Sequence, residues 1–209
     1  MSTKKYSYVG ISFVVLVFGI WVVSTMIDRF QSPDFANTGQ VPEFRFTNQD
    51  GETVTNETYK GKVYVVEFFF TTCPSICPIM NQNMKKVQDA FYGNPNFGIA
   101  SITIDPNHDT PEVLKKYAEN YGATHPNWHF LTGDKDAIYK LSNEGFKLYS
   151  AEDKNAEGGF EHSGLFALID QDGNIRSRYD ENGNAKIYYN GLEDAEIEML
   201  KEDIRQLLK

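Results

Sequence analysis

The chain has 209 residues, a formal net charge of −9 and a sequence pI of about 4.9. An acidic chain repels the phosphate backbone of nucleic acids, so we exclude nucleic-acid binding, whereas metal ions and other cationic partners are attracted. The length is enough for one domain with a sizeable core, which is the expected organisation.

The N-terminal region contains nineteen consecutive uncharged positions, residues 9–27, about the length that crosses a bilayer as a helix. Lys4 and Lys5 precede this stretch, so the positive-inside rule places residues 1–8 in the cytoplasm and exports the rest. A cleaved signal peptide is the alternative, but no A-x-A site follows. We therefore predict a single-pass anchor in a bacterial cytoplasmic membrane, with the C-terminal domain on the periplasmic or extracytoplasmic side.

Residues 28–40 lack apolar periodicity and are predicted to be a linker, with the folded domain at 41–209. A hairpin is predicted at 44–55, around Asp50-Gly51, and a second at 163–180, around Asp172-Gly173. Apolar runs predict buried strands at 63–70, 97–105 and 128–132, and helices are predicted at 78–92, 111–122, 134–148 and 193–209. Residues 151–161 are predicted to be a polar loop that leads to His162.

This order of elements predicts an α/β fold with a central, largely parallel sheet, helices on both faces and antiparallel strands from the late hairpin. It is the order of a thioredoxin-like domain, here preceded by one transmembrane helix. Cys73 and Cys77 follow a buried central strand directly, at the edge where open α/β sheets collect ligands.

The two cysteines admit three interpretations: a structural disulfide, a redox pair or two metal ligands. A bridge across three intervening residues stabilises little, which disfavours the first. Since proline suits the first position of a helix, we expect the helix to begin at Pro78, with Cys77 as its N-cap. The positive helix end then favours a thiolate, which is both the nucleophile of disulfide exchange and the metal-binding form.

Three features favour metal over redox chemistry. The cysteines have three residues between them instead of the two of C-x-x-C reductases, and Pro126 is the last proline of the chain. The position at which thioredoxin-type oxidoreductases have a cis-proline is therefore taken by His162 or its neighbour. If the strand that begins at Ser163 lies beside 63–70, His162 approaches both sulfurs. Two thiolates and an imidazole suit Cu(I), admit Cu(II) and are also accepted by zinc.

The segments CPSICP, ITIDPNHDTPEVLKKYA and the histidine that opens LFALIDQDGN together resemble the Sco/SenC family, over residues 40 to 209. The resemblance implies a thioredoxin-like fold and a copper protein that assists assembly of the binuclear copper centre of cytochrome c oxidase. It assigns copper to Cys73, Cys77 and His162, and a redox-active disulfide to the cysteines. Asp105 and Asp109 match its D-P-x-x-D motif, where capping the loop or presenting an acidic surface to a partner is expected.

The leading hypothesis is a membrane-anchored copper chaperone, more metallochaperone than enzyme, whose partners are a copper-accepting oxidase subunit and a thiol-disulfide reductant. An extracytoplasmic thiol-disulfide oxidoreductase and a redox or copper sensor are the alternatives. A peroxidase is disfavoured because the chain lacks the P-x-x-x-T-x-x-C motif of such enzymes. Other potential ligands are interpreted as structural or solvated; these are His108, His125, His129, Met80 and Met84.

Overall fold

A computed structural model describes residues 7–30, 35–153 and 156–209. The chain divides into two compact units, Met1–Asp34 and Phe35–Lys209. In the first unit, helix α1 covers Ser7–Phe30, and most of its described side chains, from Ile11 to Val23, are exposed large hydrophobic groups. Within the described residues, no helix reaches the combination of length and hydropathy that a membrane-spanning segment requires, so the predicted anchor at 9–27 is not confirmed.

The second unit begins six residues earlier than predicted. Residues Phe35–Gln40, which fall in the predicted linker, form strand β1. Hydrogen bonding to a late part of the chain makes this segment a strand, since β1 pairs antiparallel with residues Asn174 to Arg178. Its own sequence, FANTGQ, carries no apolar alternation, which is why sequence pattern alone missed it.

The predicted elements occur in the predicted order. The helices are α2 (Asn56–Tyr59), α3 (Ile76–Ala90), α4 (Pro111–Tyr121), α5 (Lys135–Lys140) and α6 (Asp194–Leu207). The strands are β2 (Arg45–Asn48), β3 (Thr53–Thr55), β4 (Val63–Phe69), β5 (Phe97–Thr103), β6 (Trp128–Thr132), β7 (Ser150–Glu152), β8 (Phe160–His162), β9 (Leu165–Ile169), β10 (Asn174–Arg178) and β11 (Tyr189–Asn190). Of these, α2, β7, β8 and β11 are additional to the predicted elements.

Among the described residues, nine of these strands form one mixed sheet in the order β1-β10-β9-β4-β5-β6-β2-β3, with β11 added beside β9. Strands β4, β5 and β6 are parallel to one another, and the outer pairings are antiparallel. As predicted, β9 lies beside β4, with Val65 opposite Leu168. The parallel centre with antiparallel additions is the α/β arrangement expected from the sequence.

Local sequence signals predicted several turns and helix ends correctly. Gly51 and Gly173 adopt positive φ angles of 79° and 80° at the two predicted hairpin turns, a conformation that glycine accepts without strain. In α4, the Thr110 hydroxyl accepts a hydrogen bond from the backbone N–H of Val113, and Gly122 ends the helix in the left-handed region. These capping groups satisfy backbone groups that the helix itself leaves unpaired.

The core lies on both faces of the central strands. Alternate residues of β4 point to opposite faces, so Phe69 packs on Tyr117 of α4, whereas Phe68 contacts Phe146 edge-on at 5.6 Å between ring centroids. Every residue of β4 and of β5 is buried. Burial on both faces explains why these strands are continuous apolar runs without alternation.

Two predicted segments differ from the structure. The helix expected at 134–148 is the shorter α5, whose N-cap is Asp134, followed by a π-helical turn at Leu141–Gly145. The polar loop expected at 151–161 contributes to a second, two-stranded sheet in which β7 pairs antiparallel with β8. This hairpin is stabilised by contacts with distant residues, which a local pattern does not show, and His162 is the last residue of β8.

Candidate metal centre

The loop after β4 carries Cys73, and α3 begins three residues later. The predicted helix start at Pro78 is wrong: Ser75 is the N-cap, so Cys77 is the second residue of α3 and Pro78 the third. Proline is tolerated there because the first four N–H groups of a helix have no partner within it. The sulfur that faces the helix N-terminus belongs to Cys73, since the backbone N–H of Cys77 donates to Cys73 Sγ at 3.5 Å.

His162 lies close to the cysteines, as predicted. Its Nε2 lies 3.2 Å from Cys77 Sγ. Its Nδ1 lies 3.2 Å from the carbonyl oxygen of Ser163, which can only accept a hydrogen bond. Nδ1 therefore donates to this carbonyl oxygen, and Nε2 faces the Cys77 sulfur. Orientation of an imidazole through its second nitrogen is usual for a metal-binding histidine.

The three side chains form a compact donor set. One ligand atom from each of Cys73, Cys77 and His162 lies within 4.8 Å of the other two, and both cysteines are free thiols. Cys77 is fully buried, whereas Cys73 is 8% exposed and lines an open pocket of about 380 Å³ together with His162. Two soft sulfur donors and one imidazole fit a low-coordinate site for Cu(I), with one side open to an exchange partner.

The two sulfurs have different protonation chemistry. The pKa of Cys73 is lowered chiefly by the hydrogen bond from Cys77, whose effect exceeds the opposing effect of burial. His162 and the backbone N–H groups at the start of α3 lower it further. The pKa of Cys77 is raised, first because this thiol gives its proton to the hydrogen bond with Cys73 and second because it is buried. In the reduced, metal-free site, Cys73 therefore holds the thiolate and Cys77 holds the proton.

Asp109 connects the loop after β5 to the cysteine loop. Its buried carboxylate accepts hydrogen bonds from the backbone N–H of Thr71 at 3.1 Å, from the Thr71 hydroxyl, and from the Thr103 hydroxyl at 2.5 Å. Exposed His108 adds its Nδ1, 2.9 Å from the same carboxylate. Because Thr71 is two residues before Cys73, this placement fits the loop-ordering role predicted for Asp109 and not an acidic docking surface.

Asp105 is half-buried beside this network, and its carbonyl oxygen accepts the backbone N–H groups of His108 and Asp109. Burial, and next the nearby Asp109 charge, raise the pKa of Asp105. The other residues interpreted as structural behave as expected: His125, Met80 and Met84 are buried, and His129 Nδ1 lies 3.4 Å from Asn48. None of them belongs to the metal-ligating cluster found among the described residues.

Glu67 is a charged residue in the middle of β4 that sequence analysis did not single out. It is fully buried; its Oε1 accepts from the Ser101 hydroxyl at 2.6 Å, and its Oε2 has no hydrogen-bond partner within the described part of the chain. Burial raises the pKa of Glu67 to about 7, and its charge raises the pKa of Cys77. A lone glutamate inside an otherwise apolar run was the signal that could have identified it.

The fold and site together define a thioredoxin-like domain with a Cys-Cys-His centre. The SCO1/SenC family model matches residues 34–195, so this chain belongs to the SCO1/SenC family. The SCO1 protein homolog of Bacillus subtilis is 33% identical over 169 residues, which cover 79% of this chain and 81% of the homolog.

Two solved structures extend the comparison. BsSco, a member of the Sco family of cytochrome c oxidase assembly proteins, is 32% identical with a TM-score of 0.68, and the match covers 85% of this chain and 96% of BsSco. ScoI of Bradyrhizobium japonicum with copper bound is 25% identical with a TM-score of 0.62, over 80% of this chain and 99% of ScoI. The predicted family and thioredoxin-like fold are thereby confirmed.

Proposed function

We propose that this chain binds copper through Cys73, Cys77 and His162 and delivers it to the binuclear copper centre of cytochrome c oxidase. The observation that carries the proposal is the 3.2 Å approach of His162 Nε2 to Cys77 Sγ, between residues 85 positions apart. A redox pair requires only the two sulfurs, whereas an imidazole oriented at them completes a metal site.

The asymmetry of the site supports transfer over storage. Cys77 lies behind the site, shielded from solvent, and Cys73 and His162 face the open pocket. A thiolate of an acceptor can approach from the pocket, bind the metal as a further ligand and displace the donors that face it. The assembly role of BsSco and the copper bound to B. japonicum ScoI support copper as the cargo and the oxidase as its destination.

A transfer assay tests the proposal. The full chain in detergent, reduced and loaded with Cu(I), is mixed with the reduced copper-accepting domain of an oxidase subunit, and copper on each protein is measured after separation. We expect copper to move to the acceptor from the wild type, and the His162→Ala variant to load too weakly to serve as a donor. Retention of copper by the wild type in the presence of a competent acceptor would contradict delivery.

A second function, thiol-disulfide exchange, is favoured by the difference between the two sulfurs. The Cys73 thiolate attacks one sulfur of an acceptor disulfide, which forms a mixed disulfide and releases one acceptor thiolate. Cys77 then gives its proton to the released acceptor thiolate and attacks Cys73 Sγ, which forms the Cys73–Cys77 disulfide and releases the second acceptor thiolate. A thiol reductant restores both thiols. Reduction of a disulfide-bonded acceptor by metal-free protein, undiminished in His162→Ala, is the result that would assign this function.

We also propose that residues 9–27 attach the domain to a membrane and that the domain is extracytoplasmic. The support is the uncharged stretch in the sequence and the exposed apolar side chains of α1. Fractionation of cells that express the full chain tests this, with a chain that starts at Phe35 as the control. Recovery of the full chain in the same soluble fraction as the control would contradict attachment.

A further inference from the structure

The histidine of the centre lies on a hairpin outside the main sheet. Among the described residues, β7 and β8 pair with each other and with no strand of the nine-stranded sheet. Ser150 of β7 lies directly opposite His162 of β8. The distance between the imidazole and the cysteines therefore depends on how the hairpin is fixed to the rest of the domain.

Asn143, in the π-helical turn at Leu141–Gly145, makes the most specific of these attachments. Its side-chain Oδ1 accepts from the backbone N–H of Ser150 at 2.8 Å, and its Nδ2 donates to the backbone carbonyl of Ser150 at 3.0 Å. One amide thus pairs with both backbone groups of one residue, as a neighbouring strand would. Ser142 adds its hydroxyl, 2.9 Å from that of Ser150.

The π-helical turn is itself fixed to the strand that leads to the cysteines. Phe146, directly after the turn, packs edge-on against Phe68 of β4, and the Tyr188 hydroxyl donates to the Phe146 carbonyl oxygen. Strand β4 thus holds the cysteine loop at its own end and holds the histidine through Phe146, the turn and β7. Both halves of the centre share one rigid support.

Other attachments of the hairpin constrain it less. Phe160 and His162 contact Phe70 with 4.9 and 5.6 Å between ring centroids, and such ring contacts are less directional than hydrogen bonds. The ion pair between Lys135 and Glu152 is solvent-exposed, and such pairs fix geometry weakly. Paired hydrogen bonds from a planar amide set both position and direction.

We propose that Asn143 is a positioning residue for the His162 ligand: its side-chain amide holds β7 where β8 presents the imidazole to Cys73 and Cys77. The inference rests on the proposed copper site and adds to it a residue that touches neither metal nor ligand. Partners that orient a ligand from outside the coordination shell commonly contribute 10- to 100-fold in metal affinity.

Copper titration of the reduced full chain tests the inference. We expect Asn143→Ala to weaken copper binding about tenfold and to shift the Cu(II) spectrum towards that of His162→Ala. Asn143→Asp keeps the acceptor for the Ser150 N–H but loses the donor, so its copper affinity should lie between those of the wild type and Asn143→Ala. It replaces the alanine variant in the test if that variant folds poorly. The matched control is Asn184→Ala, in which an exposed asparagine loses side-chain bonding to Asp180.

The double variant decides whether Asn143 acts through the histidine. In a His162→Ala background, Asn143→Ala should have no further effect on copper affinity, because the ligand that it positions is gone. An equal loss in both backgrounds, or wild-type affinity and spectrum in Asn143→Ala, would overturn the inference. If His162→Ala itself binds copper like the wild type, the failure belongs to the proposed site and not to Asn143.

Discussion

At the scale of single residues, the centre depends on carboxylates buried next to it as well as on its ligands. Asp109 accepts hydrogen bonds from the backbone N–H and the hydroxyl of Thr71, and Glu67 is a buried carboxyl with an elevated pKa. Asp109 can be tested through the loss of its hydrogen bonds, and Glu67 through the dependence of stability on pH.

We expect Asp109→Asn to lower the free energy of unfolding by about 2 to 3 kcal/mol. The carboxylate offers two acceptor oxygens to its donors, whereas the amide offers one oxygen and turns its NH₂ group towards the remaining donors. Urea unfolding of the metal-free chain measures this. The control is Asp194→Asn, which removes an exposed ion pair with Lys86 and should cost much less. Equal effects of the two substitutions would contradict the buried network.

Glu67 predicts a specific dependence of stability on pH. Its pKa rises from an ordinary 4.5 to about 7 in the folded chain, so the folded state binds this proton more tightly than the unfolded state. The contribution is complete below pH 4.5 and is lost as pH rises through about 7. Relative to wild type, Glu67→Gln should gain about 3 kcal/mol between pH 5 and pH 8. Parallel profiles of the wild type and Glu67→Gln would show that Glu67 does not titrate in this range.

At the scale of elements, the histidine-bearing hairpin and the cysteine loop fit against each other at one glycine. Gly158 has a φ of 77°, and a Cβ there would lie 2.8 Å from the Phe70 ring and 3.2 Å from Pro74. Gly159 has a similar φ of 85° but open space around the Cβ position. Comparing alanine substitutions at Gly158 and Gly159 therefore separates the cost of backbone strain from the effect of steric contact.

Gly158→Ala should therefore weaken copper binding more than Gly159→Ala, although both carry a strain cost of about 1 kcal/mol. The extra effect arises because the new methyl group displaces the hairpin, and His162 with it, from Phe70 and Pro74. Copper titration together with thermal unfolding of both variants measures the difference. Identical copper affinities would mean that the hairpin adjusts without moving the imidazole.

How much the sequence predicts is also clearest at the scale of elements. Strands β4, β5 and β9 could be located because they are buried apolar runs, and α4 because Thr110, Pro111 and Gly122 mark its ends. The prediction that His162 approaches Cys77 followed from strand order. Strand β1 could not be found because pairing with the distant β10 stabilises it, and the β7–β8 hairpin could not be found because its short strands carry no clear alternation. The start of α3 was misplaced because proline is allowed throughout the first turn.

At the scale of the whole molecule, the second unit contains its own core and its own sheet. All residues of the candidate centre, and those that position it, lie between Phe35 and Lys209. We expect a chain that starts at Phe35 to keep the melting temperature of the full chain in detergent within about 2 °C, since a substitution worth 1 kcal/mol shifts it by at least that much. Calorimetry of both chains measures this, and a drop of about 10 °C would show that residues before Phe35 contribute to folding.

The central claim is that Cys73, Cys77 and His162 form one copper site, and a metal titration of the reduced chain tests it most directly. Cu(I) is added to the wild type and to the His162→Ala variant in the presence of a competing chelator, and the Cu(II) spectrum of each is recorded. The site predicts one copper per chain and a loss of affinity in His162→Ala beyond the about 100-fold typical of outer-shell partners. Equal affinity and an unchanged spectrum in His162→Ala would contradict it.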